Sequence, residues 1–271
     1  MLRSLYSGVS GMRGFQTKLD VIGNNIANVN TIGFKSGRVM FQDILSQTVS
    51  GVTAPNGADS GGVNAKQIGL GSTISAVDTV HTQGSAMTTN VATDLRIAGD
   101  GFFVVQDATG AQYLTRSGNF TLDANRNLVN AEGLRVTSVG GEPITLEAEV
   151  TAFTIAQDGT IMTTVNGVTG PSDWQIAVTK VSNPNGLEKV GGNLYRATPN
   201  SDVEAEDIGE ALANDPARGT GAIIAGQLEM SNVDLTSEFT EMIVTQRGFQ
   251  ANSRIITTSD SILEEVVNLK R

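Results

Sequence analysis

Apolar residues at the two ends of the chain follow a helical spacing, and this pattern limits the possible folds more than any other feature. At the N-terminal end they recur every three or four positions, so they form one stripe along a single helix. The stripe consists of Leu2, Leu5, Val9, Met12, Phe15, Leu19, Ile22, Ile26 and Val29. Asn30 and Gly33 follow it, and both residue types commonly end helices. The pattern predicts a helical segment over residues 1–33.

The C-terminal end carries a second stripe, whose spacing is close to that of a coiled coil. Its members are Leu235, Phe239, Met242, Gln246, Phe249, Ile256, Leu263 and Val267, and Ile243, Ile262, Val266 and Leu269 widen it. Asp234 is suited to cap the N-terminus of this helix, and Glu238 matches the positive end of its dipole. Polar residues such as Asn252 and Ser259 interrupt the stripe, which favours a moderate helix–helix contact. The pattern predicts a helical segment over residues 232–271.

The middle of the chain has the pattern of a β domain. Short runs rich in β-branched and aromatic residues alternate with turn signals that contain glycine and asparagine. The runs are Phe102–Gln106, Arg135–Val139, Ala152–Ala156, Ile161–Val165 and Gln175–Val181. Their spacing predicts a mainly-β domain over residues 72–225. The Gly-, Ser- and Ala-rich stretch Ser46–Gly71 predicts a connecting segment over residues 34–71, and the acidic stretch Ser201–Thr220 predicts a solvated loop.

Together these segments predict an α+β protein in which long, coiled-coil-like terminal helices flank a mainly-β domain. One interpretation is that the helices pair only with each other and cover the β domain. Their charges favour pairing, because the first 42 residues carry five basic residues and one acidic residue, whereas the chain from Asp234 onward carries six acidic and four basic residues. The other interpretation is that the helices also contact a neighbouring subunit, because two helices of this length present more apolar surface than one partner covers.

The second interpretation assigns self-assembly to apolar residues of both stripes and to one aromatic residue that follows the first stripe. These residues are Leu5, Val9, Met12, Phe15, Leu19, Ile22, Ile26, Phe34, Leu235, Phe239, Met242, Ile243, Phe249, Ile256, Leu263 and Val267. The role expected of them is structural, and none is assigned to catalysis or to cofactor binding.

The sequence predicts no catalytic, cofactor or metal site. Without cysteine there are no disulfides, thiolate ligands or cysteine nucleophiles. The single histidine, His81, has no adjacent acidic residue, and the chain contains no G-x-S-x-G elbow, dinucleotide fingerprint or phosphate-binding lysine loop. Asp123, Asn125 and Asn127 imitate the start of a calcium loop, but Leu128 stands where such a loop needs glycine. A turn between strands is the better interpretation of this run.

Charge and hydropathy exclude two classes of partner. The net charge is −10 and no strip of Lys and Arg is present, which argues against nucleic acid. No run approaches the roughly 18 apolar residues of a membrane span, and we expect no cleaved secretory signal. A carbohydrate- or surface-binding module is disfavoured because Trp174 is the single tryptophan and the three tyrosines are scattered. A hydrolase with paired carboxylates stays open, since such pairs cannot be located without a fold.

Several segments resemble the signatures of bacterial flagellar rod and hook proteins. The run Leu19–Lys35 resembles the N-terminal signature of this family. Leu228–Leu235 and Met242–Asn252 are similar to its C-terminal signature, and Asp100–Phe103 and Leu114–Phe120 are similar to motifs of its β domain. The likeness covers both ends of the chain and much of the middle.

The resemblance implies a structural subunit that forms a helical homopolymer, a tube with the terminal helices around a central channel and the β domain outside. It also implies export by the flagellar type III pathway to the extracellular flagellum, with no cleaved signal. The partners implied are the distal rod protein, the hook cap, the hook–filament junction protein and the export machinery.

Within the family, the ends of the chain resemble hook proteins most. Ser7–Gly11 and Val267–Arg271 are examples of this likeness. It predicts a hook subunit, attached to the basal body, that bends as it transmits motor torque to the filament. Longer hook proteins carry an additional outer β domain for which this chain has no room, so a subunit of the distal rod, the drive shaft of the basal body, is the alternative.

Overall fold

A computed structural model describes residues 2–55, 61–165, 167–202, 208 and 212–269. The chain divides into two compact units. We name Met1–Ala27, Gly37–Thr79 and Asp234–Arg271 the helical unit, and Asn28–Ser36 and Val80–Val233 the β unit.

The helical unit contains the two predicted terminal helices, α1 (Leu2–Ala27) and α2 (Leu235–Leu269). The predicted α+β class, with terminal helices flanking a mainly-β region, is confirmed. Asp234 caps α2 as expected, since its Oδ1 accepts a hydrogen bond of 2.9 Å from the Thr236 amide. α1 ends at Ala27, six residues earlier than predicted, because the following residues form turns that lead to Gly33 at φ +70°.

The segment predicted as a connection, 34–71, differs most from the structure. Its first residues belong to the β unit, and the rest joins the helical unit and takes part in two antiparallel strand pairs. The strands are β1 (Gly37–Asp43), β2 (Ser46–Ser50), β3 (Lys66–Gly69) and β4 (Ser72–Thr79), with β1 paired to β4 and β2 to β3. Residues 56–60, within the predicted connection, lie outside the described residues. We call this element the hairpin arm.

The hairpin arm packs along α1 because the helix presents small residues to it. A Cβ atom added to Gly14 would lie 2.7 Å from the Phe41 ring, and the Phe15 and Phe41 rings are 5.8 Å apart. Gly71, at φ +130°, lies directly against Ser10 of α1. Glycine and serine residues, which indicate a flexible linker by composition, here allow close contact between backbones.

The β unit contains the remaining strands of the described chain, all paired antiparallel. They are β5 (Ala86–Thr88), β6 (Leu95–Ala98), β7 (Phe102–Gln106), β8 (Gln112–Thr115), β9 (Thr121–Leu122), β10 (Leu128–Val129), β11 (Arg135–Val136), β12 (Val150–Ile155), β13 (Thr160–Val165), β14 (Val168–Gln175), β15 (Val178–Thr179), β16 (Glu188–Gly191), β17 (Leu194–Arg196), β18 (Ala222–Ala225) and β19 (Gln227–Glu229). The largest sheet has the order β16-β17-β8-β7-β11-β10-β9, and β15 also pairs with β7. Strands β12, β13 and β14 form a meander, and β6 pairs with β18 and β5 with β19.

Strand β7 lies at the centre of the β unit and is buried on both faces. Phe103 and Val105 belong to the main core, whereas Phe102 and Val104 face a second cluster that contains Tyr195. This arrangement explains why the sequence of β7 is a continuous apolar run and not an alternating one. The run Asp123–Asn127 forms the turn between β9 and β10, as predicted, with the Arg126 amide donating to the Asp123 carbonyl at 2.8 Å.

Part of the predicted acidic loop, 203–207 and 209–211, lies outside the described residues, as does Asn166. Neither α1 nor α2, over their described residues, is long and apolar enough to span a membrane.

Candidate self-assembly interface

The two terminal helices pack against each other in antiparallel orientation. Residues taken in increasing order along α1 contact residues in decreasing order along α2. In order along α1 the pairs are Gly8 with Ile256, Gly11 with Asn252, Phe15 with Gly248, Lys18 with Glu241 and Asn25 with Glu238. We call this line of contacts the helix seam. Pairing of the two helices, which their charges favour, therefore occurs within one chain, with Lys18 Nζ 2.9 Å from Glu241 Oε2.

The helix seam consists largely of small and polar residues, not of the large apolar residues of a strong coiled coil. A Cβ atom on Gly11 would lie 2.9 Å from Asn252 Nδ2, so the glycine lets the helices approach closely. Thr245 and Ser259 are buried on α2, where their hydroxyls donate to carbonyls one turn earlier, at 2.6 Å and 2.8 Å. These bonds satisfy the buried hydroxyls without a partner on α1.

Asn25 joins three segments of the helical unit. Its side chain is 2% exposed, and its Nδ2 donates to the Gly37 carbonyl at 2.9 Å and to Glu238 Oε1 at 3.1 Å. Its Oδ1 accepts from the Gly37 amide at 2.9 Å. One amide thus ties the end of α1 to the start of the hairpin arm and to the first turn of α2. Burial raises the pKa of Glu238, and the bond from Asn25 partly offsets that rise.

Most of the large apolar residues of α2 are exposed to solvent over much of their surface. Their exposed fractions lie between 43% and 86%. They are Phe239, Ile243, Val244, Ile255, Ile262, Val266, Val267 and Leu269. At 100° per residue these positions spread over more than half of the helix circumference, and exposed apolar residues in this number are typical of a surface that contacts another chain. We call it the exposed face of α2.

In the β unit, three charged residues from distant parts of the chain form a buried ion triad. The side chains of Lys35, Arg116 and Glu229 are 0%, 5% and 1% exposed. Lys35 Nζ lies 2.5 Å from Glu229 Oε1, and Arg116 Nη1 lies 3.2 Å from Glu229 Oε2. Burial lowers the pKa values of Lys35 and Arg116, and the carboxylate of Glu229 opposes both shifts.

Backbone bonds complete the surroundings of the triad. The Gly84 amide donates to Glu229 Oε1 at 3.0 Å, and Lys35 Nζ and an Arg116 guanidinium nitrogen donate to carbonyls of Thr82 and Gly99. The Gly33 amide donates to the Glu229 carbonyl at 2.8 Å. The triad therefore fixes the segment that follows α1 and the segment that precedes α2 to the same part of the β unit.

His81 lies beside the triad in an aromatic cluster. Its ring centroid is 5.8 Å from that of Phe102 and 5.7 Å from that of Tyr195. Burial, followed by the positive charges of Lys35, Arg116 and Lys189, lowers its pKa to about 4. The position suits a neutral ring that fills space, and His81 has neither the acidic partner nor the exposure of a general base.

We expect the β unit to lose stability on acidification through His81. Its pKa is about 4 in the folded chain and 6.5 in the unfolded chain, so below pH 6.5 protons bind preferentially to the unfolded state. The stability is complete above pH 6.5 and falls by up to ~3 kcal/mol as the pH approaches 4. His81→Phe should remove this contribution, which urea titrations at several pH values measure. A constant free-energy difference between wild type and variant from pH 7 to 4 would contradict the assignment.

Comparison with known proteins places these features in one family. Three family models match: the flagella basal body rod protein over residues 5–35, the flagellar hook protein FlgE/F/G D1 domain over 96–163, and the flagellar basal body rod FlgEFG protein C-terminal region over 224–269. The flagellar basal-body rod protein FlgG of Bacillus subtilis is 52% identical over 273 residues, covering 100% of both chains. This chain belongs to the bacterial flagellar rod and hook protein family.

Rod and hook relatives differ in how they align. FlgG of Borreliella burgdorferi is 36% identical over 276 residues, and the flagellar hook protein FlgE of the same organism is 30% identical over 450 residues. All of this chain is covered in both alignments. The family is one of flagellar structural proteins, and the predicted resemblance is confirmed.

The structure separates the predicted assembly residues of this family member into three groups. Half-buried residues are Leu5, Val9, Met12, Phe15, Leu19, Ile26, Met242, Ile256 and Leu263, and Ile22 and Phe34 are buried. Exposed residues are Leu235, Phe239, Ile243, Phe249 and Val267. Phe34 lies in the β unit, where Lys189 Nζ is 4.9 Å from its ring centroid. The remaining predicted residues lie on the two helices, and their role in assembly stays a prediction.

The sequence patterns did not identify four residues whose side chains hold separate segments of the chain together: Asn25, Lys35, Arg116 and Glu229. Each lies within a segment that carries the family resemblance. Glu229 offered the clearest signal, because it follows Leu228 in a strand next to apolar residues, where an acid must be paired if it is buried.

Proposed function

We propose that this chain is a subunit of the distal rod of the bacterial flagellum and that it polymerises through its helical unit. The exposed face of α2 carries the proposal, because a large apolar surface on a long helix needs a partner. The full-length likeness to rod proteins named FlgG supports the rod in particular. The hook, predicted first from the ends of the chain, is the less supported of the two.

Length supports the rod over the hook. The chain has 271 residues, whereas its alignment with the Borreliella hook protein extends over 450 residues. Rod relatives align over 273 and 276 residues, which is close to its own length. An additional outer domain, which longer hook proteins carry, has no counterpart here.

The packing of the hairpin arm agrees with a stiff subunit. A hook that bends would be helped by a flexible segment over residues 46–71 that could change its length. Instead, β2 and β3 pair within this segment, and the flanking strands β1 and β4 pair with each other, with Phe41 of β1 against Gly14 of α1. Strand pairs held against a helix resist extension, which suits a drive shaft that transmits torque without bending.

The remaining proposals concern location and partners. The subunit is exported to the extracellular flagellum, where its main partner is a second copy of itself. Contacts with the hook cap, the hook–filament junction protein and the export machinery follow from the resemblance alone.

Basal bodies from cells that lack this chain test the rod assignment. Electron microscopy should show a shortened rod with no hook attached. A rod of full length that ends where the hook begins would contradict the distal rod and return the assignment to the hook.

We expect Ile243→Asp to prevent polymerisation without unfolding the chain. Ile243 is 53% exposed on α2, so the carboxylate costs little in a monomer but would be buried without a partner in a subunit contact. Sedimentation velocity under conditions in which wild type polymerises should show monomers, and circular dichroism should be unchanged. Val168→Asp is the matched control, since Val168 is an equally apolar residue, 73% exposed, in the β unit. Equal effects of both changes would contradict assembly through the helical unit.

A further inference from the structure

The helical unit contains an open groove between α1 and the hairpin arm. Its volume is about 540 Å³. Aliphatic side chains from both elements line it, with one aromatic and one basic side chain among them: Val9, Ile44, Leu70, Ile74, Tyr6 and Arg13. Tyr6 is 73% exposed. The groove therefore presents apolar walls and a positive charge to solvent.

The last turns of α2 carry apolar residues that are partly or mostly exposed to solvent. Ile262, Val266 and Leu269 are 43%, 50% and 86% exposed. At 100° per residue they fall within about 60° of one another around the helix, so they form one short stripe. A stripe at this spacing is the usual means by which a helix binds an apolar groove.

The register of the helix seam keeps this stripe out of the groove of its own chain. Gly8 lies beside Ile256 and Asn25 beside Glu238, so the first turn of α1 lies near Ile262. α2 is one continuous helix to Leu269 and passes beyond that turn. The groove instead extends along α1 from Tyr6 toward Thr17, in the opposite direction.

We propose that the stripe Ile262, Val266 and Leu269 of one copy binds the groove between α1 and the hairpin arm of a second copy. The inference rests on the proposed function, since it names the contact by which the subunits polymerise. The donor and the acceptor are different surfaces, so the contact is heterologous, and each copy has one surface free to bind the next. Repetition of the contact builds a polymer along the helix direction.

Charge supports a second copy as the occupant. Glu265 lies next to the stripe on α2, and Arg13 lines the groove. No ion pair of Arg13 or of Glu265 occurs among the described residues. The contact would bring these two opposite charges together at the edge of an apolar interface.

Cysteine cross-linking tests the contact, and no natural cysteine can form a competing disulfide, because the natural chain contains none. A chain with Val266→Cys is mixed with a chain with Leu70→Cys, allowed to polymerise and then oxidised. A disulfide requires Cα atoms about 4.4–6.8 Å apart, so a dimer band in the polymer supports the contact. Val168→Cys in place of Leu70→Cys is the control, and it should give no band with Val266→Cys.

Exchange of the charges gives a second, independent readout. Arg13→Glu and Glu265→Arg should each raise the critical concentration of polymerisation about two- to fivefold, and the double variant should restore it. Two results would overturn this contact and leave the proposed function standing. The first is polymers that form normally but give no Val266–Leu70 dimer. The second is a double variant whose critical concentration shows the summed effects of the two single variants. A wild-type chain that never polymerises would overturn both.

Discussion

Replacing Glu229 with alanine should destabilise the β unit by about 3–5 kcal/mol, the cost of leaving buried charges without their partner. The carboxylate pairs with both Lys35 and Arg116 and also accepts the Gly84 amide. Without it, two buried cations face each other. Urea unfolding followed by the fluorescence of Trp174, which packs against the main core, measures the change in the β unit specifically.

Two further variants separate charge from volume in this prediction. Glu229→Gln keeps the size of the side chain but not its charge, and most of the loss should remain. Glu188→Ala is the matched surface control, because Glu188 pairs with Arg196 where both side chains are more than half exposed. That change should cost at most ~1 kcal/mol. A loss for Glu229→Ala no larger than that for Glu188→Ala would contradict a structural role for the triad.

Adding one methyl group at Gly118 should be nearly as damaging, with an expected loss of about 3 kcal/mol or more. A Cβ atom at this position would overlap the carbonyl oxygen of Leu95 and lie 3.2 Å from the Phe103 ring. The Leu95 amide also donates to the Gly118 carbonyl at 2.9 Å. The backbone on both sides is buried, so neither segment can move away without disturbing the core.

Gly170→Ala is the control for this change. Gly170 lies in β14 with no atom within 4 Å of the added Cβ. Its replacement should leave the urea midpoint unchanged or slightly raised, because alanine restricts the unfolded chain. If Gly118→Ala and Gly170→Ala shifted the midpoint equally, close packing between Gly118 and Leu95 could not be the cause.

The terminal helices could be predicted because their signal is local. Apolar residues every three or four positions predict a helical segment over 232–271, and the observed helix spans Leu235–Leu269 with Asp234 as its cap. The central strands were also predictable in part, and the run Phe102–Gln106 coincides with β7. Periodicity and turn chemistry act within a few residues, so a single sequence contains enough information for them.

The helix seam could not be predicted from the same pattern. Asn252 and Ser259, which interrupt the apolar stripe of α2, face α1, whereas Phe239 and Ile243 of the stripe face solvent. The reason is that glycine on one helix lies against a larger side chain of the other, as Gly11 does against Asn252 and Gly248 against Phe15, so the contact does not follow the apolar stripe alone. A hydrophobic stripe shows that a helix needs contacts, but not which partner provides them.

The hairpin arm and the ion triad depend on contacts between residues far apart in the sequence, which a local sequence pattern does not reveal. Lys35 and Glu229 are separated by 194 positions, and Arg116 and Glu229 by 113. The glycine and serine residues of the arm are typical of a linker until Gly14 and Ser10 of α1 are known to lie beside it. Tertiary packing decides both features, and it overrides the composition of the segment.

Polymers of the purified chain provide the most direct test of assembly into a rigid rod through the helical unit. Electron cryomicroscopy should show straight tubes in which neighbouring copies contact each other through the exposed face of α2. Curved, flexible tubes would contradict the rod and favour the hook. Monomers that persist at high concentration, or tubes whose subunits touch only through their β units, would contradict assembly through the helical unit itself.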